Sequence, residues 1–184
     1  MLTQRPVVFL DRDGVINANV PDYVRHWHQV RIIPGTLAAL ARLAASPYMV
    51  VIVTNQAGVG HGLIAPETAN EINRRLLAEI HAHGGRIDHI EMCPEIDPAA
   101  PCRKPNPGML LAAAERLSLD LNRAWMVGDA VSDLQAGLAV GARPVFVLSG
   151  RGQPADLLTD PRLHTCPTVP DLSAAVDLIL AQPL

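Results

Sequence analysis

The chain has 184 residues, a formal net charge of −3 and an isoelectric point near 6.1. This length suffices for one domain with a sizeable core, and the mild acidity argues against nucleic acid as a partner, because nucleic-acid binding needs a basic surface. The apolar run after Arg5-Pro6 has only strand length, and no other run could span a bilayer. We therefore expect a cytoplasmic protein that acts away from membranes, as a monomer.

Strand-like and helix-like segments alternate along the chain. Continuous apolar runs of strand length are typical of strands that are buried on both faces of a parallel sheet. The predicted strands cover residues 7–10, 49–53, 90–92, 125–127 and 145–148, and residues 165–169 fit a short edge strand although Pro167 is unfavourable there. The predicted helices cover residues 36–45, 66–83, 107–117, 132–140 and 171–181.

This alternation predicts an α/β fold with a doubly wound parallel sheet in three layers. No linker interrupts the pattern, so residues 1–184 are predicted to form a single domain. The stretches after the first and second strands are too short to fold as a separate cap domain. We therefore expect an open site that is shaped by loops.

Two carboxylates directly follow the first strand. Because side chains alternate along a strand, Asp11 and Asp13 are predicted to converge while Arg12 points away. Like charges at such a distance need a cation between them or a bound proton, and carboxylates are the ligands that Mg²⁺ prefers. A carboxylate beside Mg²⁺ can also act as a nucleophile and form an aspartyl-phosphate. This segment therefore predicts phosphoryl-transfer chemistry.

Polar residues also follow the later strands, where ligands bind in sheets of this kind. They are Thr54, Asn55 and Gln56 after the second strand, Arg103 and Lys104 in the loop before the 107–117 helix, and Asp129 and Asp133 after the fourth strand. Hydroxyl, amide and ammonium groups can stabilise the three equatorial oxygens of a phosphoryl group. Asp129 can share the metal with Asp11 and the main-chain carbonyl of Asp13. Asp13 can protonate the leaving oxygen and then deprotonate the attacking water.

Several of these residues also have a purely structural interpretation. Asp129 could cap a helix, Asp133 could interact with a helix dipole or orient Lys104, and Thr54 could simply end a strand. The segment 19–31 has two interpretations. It is either a flap that faces the substrate, through Asn19, Asp22 and Tyr23, or a loop that Trp27 holds against the body.

Four motifs in this order resemble the haloacid dehalogenase superfamily of phosphatases: DRDG at 11–14, TNQ at 54–56, CRKP at 102–105, and GD at 128–129 with Asp133. The resemblance extends to about Gly150 and implies a Rossmann-like core. It implies Asp11 as the nucleophile, Asp13 as the acid and base, and Mg²⁺ on Asp11, Asp13 and Asp129. It also places Thr54 and Lys104 on the phosphoryl group and Arg103 in substrate recognition.

The longer motifs DRDGVIN, TNQAG, CRKPNPGM and MVGD are similar to the branch of the heptose bisphosphate phosphatases and their histidinol-phosphatase relatives. That branch usually carries a zinc loop with a Cys-x-His and a Cys-x-Cys pair. Here Glu95 follows Cys93 in place of the histidine, and Ala100 precedes Cys102 in place of a cysteine. We therefore expect no bound zinc, because structural zinc needs four nitrogen or sulfur ligands. The odd count of three cysteines also predicts no disulfide framework.

The sequence thus favours a Mg²⁺-dependent phosphomonoester hydrolase that acts on a small phosphorylated metabolite. The resemblance implies D-glycero-D-manno-heptose 1,7-bisphosphate as substrate, with loss of the 7-phosphate. Histidinol phosphate or another small phosphometabolite is the alternative substrate. A phospho-accepting signalling domain is the alternative class, but Asp13 is placed to hydrolyse an acyl-phosphate, which favours an enzyme.

Overall fold

Six parallel strands form one sheet in the computed structural model, which describes residues 4–183. The ends of the predicted domain, residues 1–3 and 184, lie outside the described residues. The strands are β1 (Arg5–Leu10), β2 (Met49–Asn55), β3 (His89–Cys93), β4 (Leu119–Gly128), β5 (Arg143–Val147) and β6 (Thr168–Val169). Their order across the sheet is β3-β2-β1-β4-β5-β6. The neighbouring strands β1 and β2 lie inside the sheet, and their residues 6–10 and 49–53 are buried and apolar.

Helices cover both faces of this sheet and give the predicted three layers. They are α1 (Thr36–Ala44), α2 (Ala57–Gly60), α3 (Pro66–Ala82), α4 (Gly108–Leu117), α5 (Val131–Ala139) and α6 (Leu172–Leu180), with 3-10 turns at Trp27–Gln29, Pro154–Thr159 and Pro161–Leu163. Val8 and Leu10 of β1 pack with α1, α3 and α6, whereas Val7 and Phe9 pack with α4 and α5. The alternation of β1 side chains thus divides the core between the two faces.

The structure extends or adds some elements relative to the sequence prediction. Strand β4 begins at Leu119 rather than at residue 125, because Arg5 pairs with Leu119 before a register shift that brings Val7 opposite Ala124. Polar residues between Leu119 and Ala124 interrupt the apolar run, so the sequence pattern does not indicate this extension. The short α2 and the 3-10 turns were not predicted, since each is only three to six residues long.

The sheet topology decides where a ligand could bind. Strand order reverses on either side of β1, and the loops that leave the carboxyl ends of neighbouring strands separate there to open a crevice. Within residues 4–183, the connections from β1 to α1 and from β2 to α3 contain only short helical turns and no second folded unit. No helix in this described part of the chain is long and apolar enough to cross a bilayer.

Candidate active site

A cavity of about 320 Å³ opens at the carboxyl edge of the sheet. Its walls come from the ends of β1, β2 and β4, from the loops before α4 and after β5, and from the segment that follows β1. Most of the predicted site residues line it, namely Asp11, Asp13, Asn19, Asp22, Tyr23, Asn55, Gln56, Lys104, Asp129 and Asp133. Thr54 and Arg103 are not among its lining residues.

Lys104 is the basic centre of the site and the only lysine in the sequence. Its Nζ lies 2.8 Å from Oδ1 of Asp11 and 2.8 Å from Oδ1 of Asp133, and it donates a further hydrogen bond to the carbonyl oxygen of Val53. Burial acts to lower the pKa of Lys104, but the charges of Asp11 and Asp133 outweigh it and raise the pKa. Lys104 is therefore a permanent cation that joins β1, β2 and α5.

The main chain of Lys104 is held by Asn55. Its N–H donates to Oδ1 of Asn55 over 3.1 Å, and its carbonyl oxygen accepts from Nδ2 of the same side chain over 3.2 Å. These hydrogen bonds hold the loop that carries Lys104, and the predicted contact of Asn55 with the phosphoryl group stays a prediction. Asn55 thus fixes the main-chain position from which the side chain of Lys104 extends.

Three carboxylates gather beside this ammonium group. Asp11, Asp129 and Asp133 are all buried, and one oxygen from each lies within 4.8 Å of the others. Burial raises the pKa of Asp11 from 3.8 to about 7, although Lys104 acts in the opposite direction. Burial and the charge of Asp133 raise the pKa of Asp129 to about 6. Asp11 and Asp129 therefore lose their protons less readily than ordinary carboxyl groups, and a second cation beside Lys104 would favour their ionised forms.

Asp13 also lines the cavity, but its carboxylate has a different set of partners. It accepts hydrogen bonds of 2.8 Å from Arg12, from Asn17 and from Gln56. Burial acts to raise the pKa of Asp13, but the Arg12 charge and these donors outweigh it and hold the pKa below its ordinary value. Asp13 is therefore an ionised carboxylate in this arrangement.

The prediction that Arg12 points away from both aspartates is wrong. Its guanidinium is almost fully buried and lies against Asp13, with a second bond of 2.9 Å to Asn73 of α3. The strand ends at Leu10, and Gly14 then adopts a positive φ of 95° with its N–H bonded to the carbonyl of Asn17. Side chains point alternately to the two faces only within a strand, so alternation does not predict the directions of side chains beyond Leu10.

Thr54 and Gln56 form a buried pair next to Asp13. The amide of Gln56 donates to both Oγ1 of Thr54 and Oδ2 of Asp13, over 2.9 Å and 2.8 Å. Thr54 is only 1% exposed. Gln56 thus links the hydroxyl of Thr54 to Asp13, and the predicted contact of this hydroxyl with a phosphoryl group stays a prediction.

The prediction of no disulfide framework is wrong for one pair of cysteines. Cys93 and Cys102 form a disulfide bond, and Cys166 is free. The loop between the two cysteines turns back on itself, with a hydrogen bond from the main-chain N–H of Ala100 to the carbonyl of Asp97, and the Cα atoms of Cys93 and Cys102 lie 5.6 Å apart. The bond closes the loop two residues before Lys104, a pairing that three unevenly spaced cysteines do not reveal.

Arg103 follows this disulfide but turns away from the cavity. Its guanidinium donates to the carbonyl of Glu95 over 2.8 Å, so it stabilises the same loop that the disulfide closes. Its predicted contact with substrate stays a prediction. Glu95 and Ala100, at the positions where zinc ligands would stand, are exposed and half-buried.

The segment after β1 combines both of its predicted roles. Asn19, Asp22 and Tyr23 line the cavity, and Trp27 packs against the core farther along. Tyr23 adopts a positive φ of 68°, which is uncommon for a non-glycine residue. Trp27 thus anchors a loop whose earlier part forms one wall of the cavity.

Three residues of the site carry no sequence prediction, namely Asn17, Asn73 and Arg151, and the contact of Arg12 with Asp13 was not predicted either. Arg12 and Asn17 bind Asp13, Asn73 binds Arg12, and the N–H of Arg151 donates to Oδ2 of Asp129 over 2.9 Å. Arg151 lies just after a predicted strand, at the edge where the other site residues were found, so its position was a usable signal. Asn17 and Asn73 offered none.

Known proteins similar to this chain are described as hydrolases and phosphatases. A family model described as HAD-hydrolase-like matches residues 101–175. The chain is 41% identical over 148 residues to D-glycero-beta-D-manno-heptose-1,7-bisphosphate 7-phosphatase of Pseudomonas putida, which covers 80% of this chain and 85% of that protein. It is 40% identical over 155 residues to the protein of the same name from Rhodopseudomonas palustris, covering 80% and 85%.

A solved structure is similar over nearly the whole chain. The D,D-heptose 1,7-bisphosphate phosphatase from B. bronchiseptica, crystallised with magnesium and phosphate, matches with a TM-score of 0.87 and 35% identity. The match covers 95% of this chain and 98% of that chain. The corresponding phosphatase from Burkholderia thailandensis matches with a TM-score of 0.74 and 33% identity, over 97% of this chain and 100% of that chain.

Proposed function

This chain belongs to the haloacid dehalogenase-like phosphatases, in the family of the heptose bisphosphate 7-phosphatases, and we propose that it removes the 7-phosphate of D-glycero-β-D-manno-heptose 1,7-bisphosphate. The observation that carries the proposal is the buried contact of Lys104 with Asp11 and Asp133, beside Asp129, in one open cavity. A phosphoryl group needs a nucleophile, a cation and a metal site at one point, and these residues can supply all three. The name of the relatives supports the choice of sugar.

The acidic cluster fits a divalent cation. The cavity is lined by four buried or half-buried acids, namely Asp11, Asp13, Asp129 and Asp133, and the buried bases beside them are Arg12 and Lys104. The acids thus outnumber these bases by two, and their hard oxygen ligands suit Mg²⁺. We propose that Asp11, Asp129 and the main-chain carbonyl of Asp13 hold Mg²⁺, with Asp133 orienting Lys104. When bound, Mg²⁺ would neutralise charge on the phosphoryl oxygens. Zinc does not fit the loop, because its two remaining thiols are bonded to each other.

Asp11 is the proposed nucleophile. Lys104 binds Oδ1 of Asp11, so Oδ2 is the oxygen free to attack phosphorus. A new bond forms between this oxygen and phosphorus as the bond from phosphorus to the sugar oxygen breaks, which leaves an aspartyl-phosphate. Lys104 neutralises charge beside the reacting group and keeps the attacking carboxylate in place.

Asp13 is the proposed acid and base. The ionised Asp13 of this structure can take a proton from the water that cleaves the aspartyl-phosphate, and it gives this proton to the leaving sugar oxygen of the next substrate. Arg12, Asn17 and Gln56 stabilise the carboxylate that takes the proton from water. Asp11 is regenerated and inorganic phosphate is released.

Phosphate release from a panel of substrates tests this function. The panel contains heptose 1,7-bisphosphate, histidinol phosphate and a nucleoside monophosphate, each with Mg²⁺ and with a chelator. We expect the highest kcat/KM on the heptose bisphosphate with Mg²⁺. Histidinol phosphate as the preferred substrate would overturn the choice of sugar, and a single phosphorylation of the protein without turnover would indicate a signalling domain.

A pair of matched variants tests the nucleophile. Asp11→Asn is expected to reduce kcat by about 10⁴-fold or more, as the loss of other nucleophiles does. Asp177→Asn makes the same chemical change on an exposed side chain of α6, and we expect it to retain activity. Equal activity of the two variants would contradict the assignment of Asp11. A cytoplasmic location and a monomeric state stay predictions.

A further inference from the structure

Arg151 is an exposed cation in the wall of the active-site cavity. It follows β5 in the turn Gly150-Arg151-Gly152 and lines the same cavity as Asp11. Its main-chain N–H is bonded to Asp129, but its guanidinium has no hydrogen-bond or ion-pair partner among residues 4–183. Arg151 thus places a guanidinium with five free donors at the wall of a cavity whose proposed chemistry involves phosphate.

The backbone around Arg151 is packed directly against the site. A methyl group built on Gly150 would overlap the carboxylate of Asp129, and one built on Gly152 would overlap the carbonyl oxygen of Asp129. The preceding Ser149 donates from Oγ to the carbonyl of Gly14 over 2.7 Å. These contacts fix the turn on two elements of the active site, so the position of Arg151 depends on the same residues as the reaction centre.

The charges of the cavity leave Arg151 with a distinct role. Lys104 and Arg151 are the lysine and arginine residues that line it, and Lys104 is buried between Asp11 and Asp133. Lys104 therefore serves the phosphoryl group that is transferred. A second phosphate on the same substrate would lie near the part of the cavity wall that contains Asp22. This second phosphate therefore needs a cation other than Lys104.

We propose that Arg151 binds the phosphate that is not transferred and so makes the enzyme selective for bisphosphorylated over monophosphorylated sugars. A guanidinium can hold two oxygens of one phosphate through parallel hydrogen bonds. This inference rests on the proposed function, because it assumes that the other phosphate reacts at Asp11. It adds a recognition residue from a strand end that the catalytic motifs do not include.

The test compares heptose 1,7-bisphosphate with heptose 7-phosphate as substrates. Arg151→Gln is expected to lower the ratio of their kcat/KM values by about 10- to 100-fold, through a higher KM for the bisphosphate, as is typical when a charged hydrogen-bonded pair is lost. Arg151→Lys keeps the charge but lacks the parallel donors of the guanidinium. Its kcat/KM ratio should therefore lie between the ratios of the wild type and Arg151→Gln. Arg116→Gln, at an exposed arginine of α4 outside the cavity, is the matched control and should leave the ratio unchanged.

The outcomes separate this inference from the function on which it rests. If wild-type protein hydrolyses both substrates and Arg151→Gln leaves their ratio unchanged, the role of Arg151 is wrong and the phosphatase assignment stands. If Arg116→Gln lowers the ratio equally, the effect belongs to overall charge and the role of Arg151 is also wrong. If wild-type protein hydrolyses neither substrate, both proposals fail. Circular dichroism confirms that each variant is folded before its kinetics are compared.

Discussion

Nζ of Lys104 lies 2.8 Å from Oδ1 of Asp11, and both side chains are buried. Asp133 accepts from the same ammonium group, so one cation links two acids. Lys104→Met leaves these acids buried without their partner. We expect the free energy of unfolding to fall by about 3 to 5 kcal/mol, the range for breaking a buried ion pair from one side. Urea unfolding in the presence of a chelator measures this change.

A surface ion pair provides the comparison for Lys104. Arg42 and Asp177 are paired across α1 and α6 with both side chains largely exposed. Arg42→Met should lower the free energy of unfolding by no more than about 1 kcal/mol, because water screens exposed pairs. If Lys104→Met and Arg42→Met lower the free energy of unfolding by similar amounts, the buried ion pair stabilises the fold no more than the exposed one does.

Arg12 sets the protonation of Asp13. The Arg12 guanidinium lowers the pKa of Asp13 against the effect of burial, so Arg12→Met should raise that pKa. The second step needs Asp13 in its carboxylate form, and a higher pKa leaves more of Asp13 protonated at low pH. We expect the acid limb of the kcat against pH profile to move to higher pH, and Arg12→Lys to move it less. An acid limb at the same pH in a folded Arg12→Met variant would contradict this role.

The Cys93–Cys102 disulfide braces the loop that carries Lys104. Because it closes a loop of about ten residues, its reduction is expected to lower the free energy of unfolding by about 2 to 4 kcal/mol. Guanidinium unfolding with and without a reductant measures the change, and a thiol count should rise from one to three. Cys102→Ser should reproduce the loss without reductant, whereas Cys166→Ser should keep the response to reductant. Equal stability of the oxidised and fully reduced protein would contradict the bracing role.

Metal-free protein should lose stability as the pH rises from about 4 to about 7. Burial raises the pKa of Asp11 to about 7 and that of Asp129 to about 6, from 3.8 in the unfolded chain. The folded state therefore binds more protons than the unfolded state in this range, and the free energy of unfolding falls with pH. Mg²⁺ binds the deprotonated carboxylates, so its stabilising effect should increase over the same range.

Melting temperatures at pH 5 and pH 8, each with a chelator and with Mg²⁺, check this prediction. The shift caused by Mg²⁺ at each pH is compared, so that other titrating groups cancel. We expect the larger shift at pH 8 and a smaller one in Asp129→Asn. A shift of the same size at both pH values would show that Asp11 and Asp129 do not release protons when the metal binds.

Apolar periodicity alone was enough to predict the sheet and the edge at which the site lies. The strand ends next to Asp11, Thr54-Asn55 and Asp129 were found from runs of apolar residues, because a strand segment buried on both faces must be apolar. The carboxyl ends of parallel strands share one edge, so the proximity of these residues followed without knowledge of the loops. The extension of β4 to Leu119 did not follow, since its polar residues break the run.

The sequence by itself determined the fold, the phosphatase family and the acids and lysine around one cavity, because strand periodicity and motif order are local properties of the chain. Only the tertiary structure decided that Arg12 binds Asp13, that Cys93 bonds to Cys102, and that Arg151 lies against Asp129. These contacts involve loop residues that lie beyond the ends of strands, where side-chain alternation no longer applies. There the direction of a side chain depends on how turns from distant parts of the chain pack together.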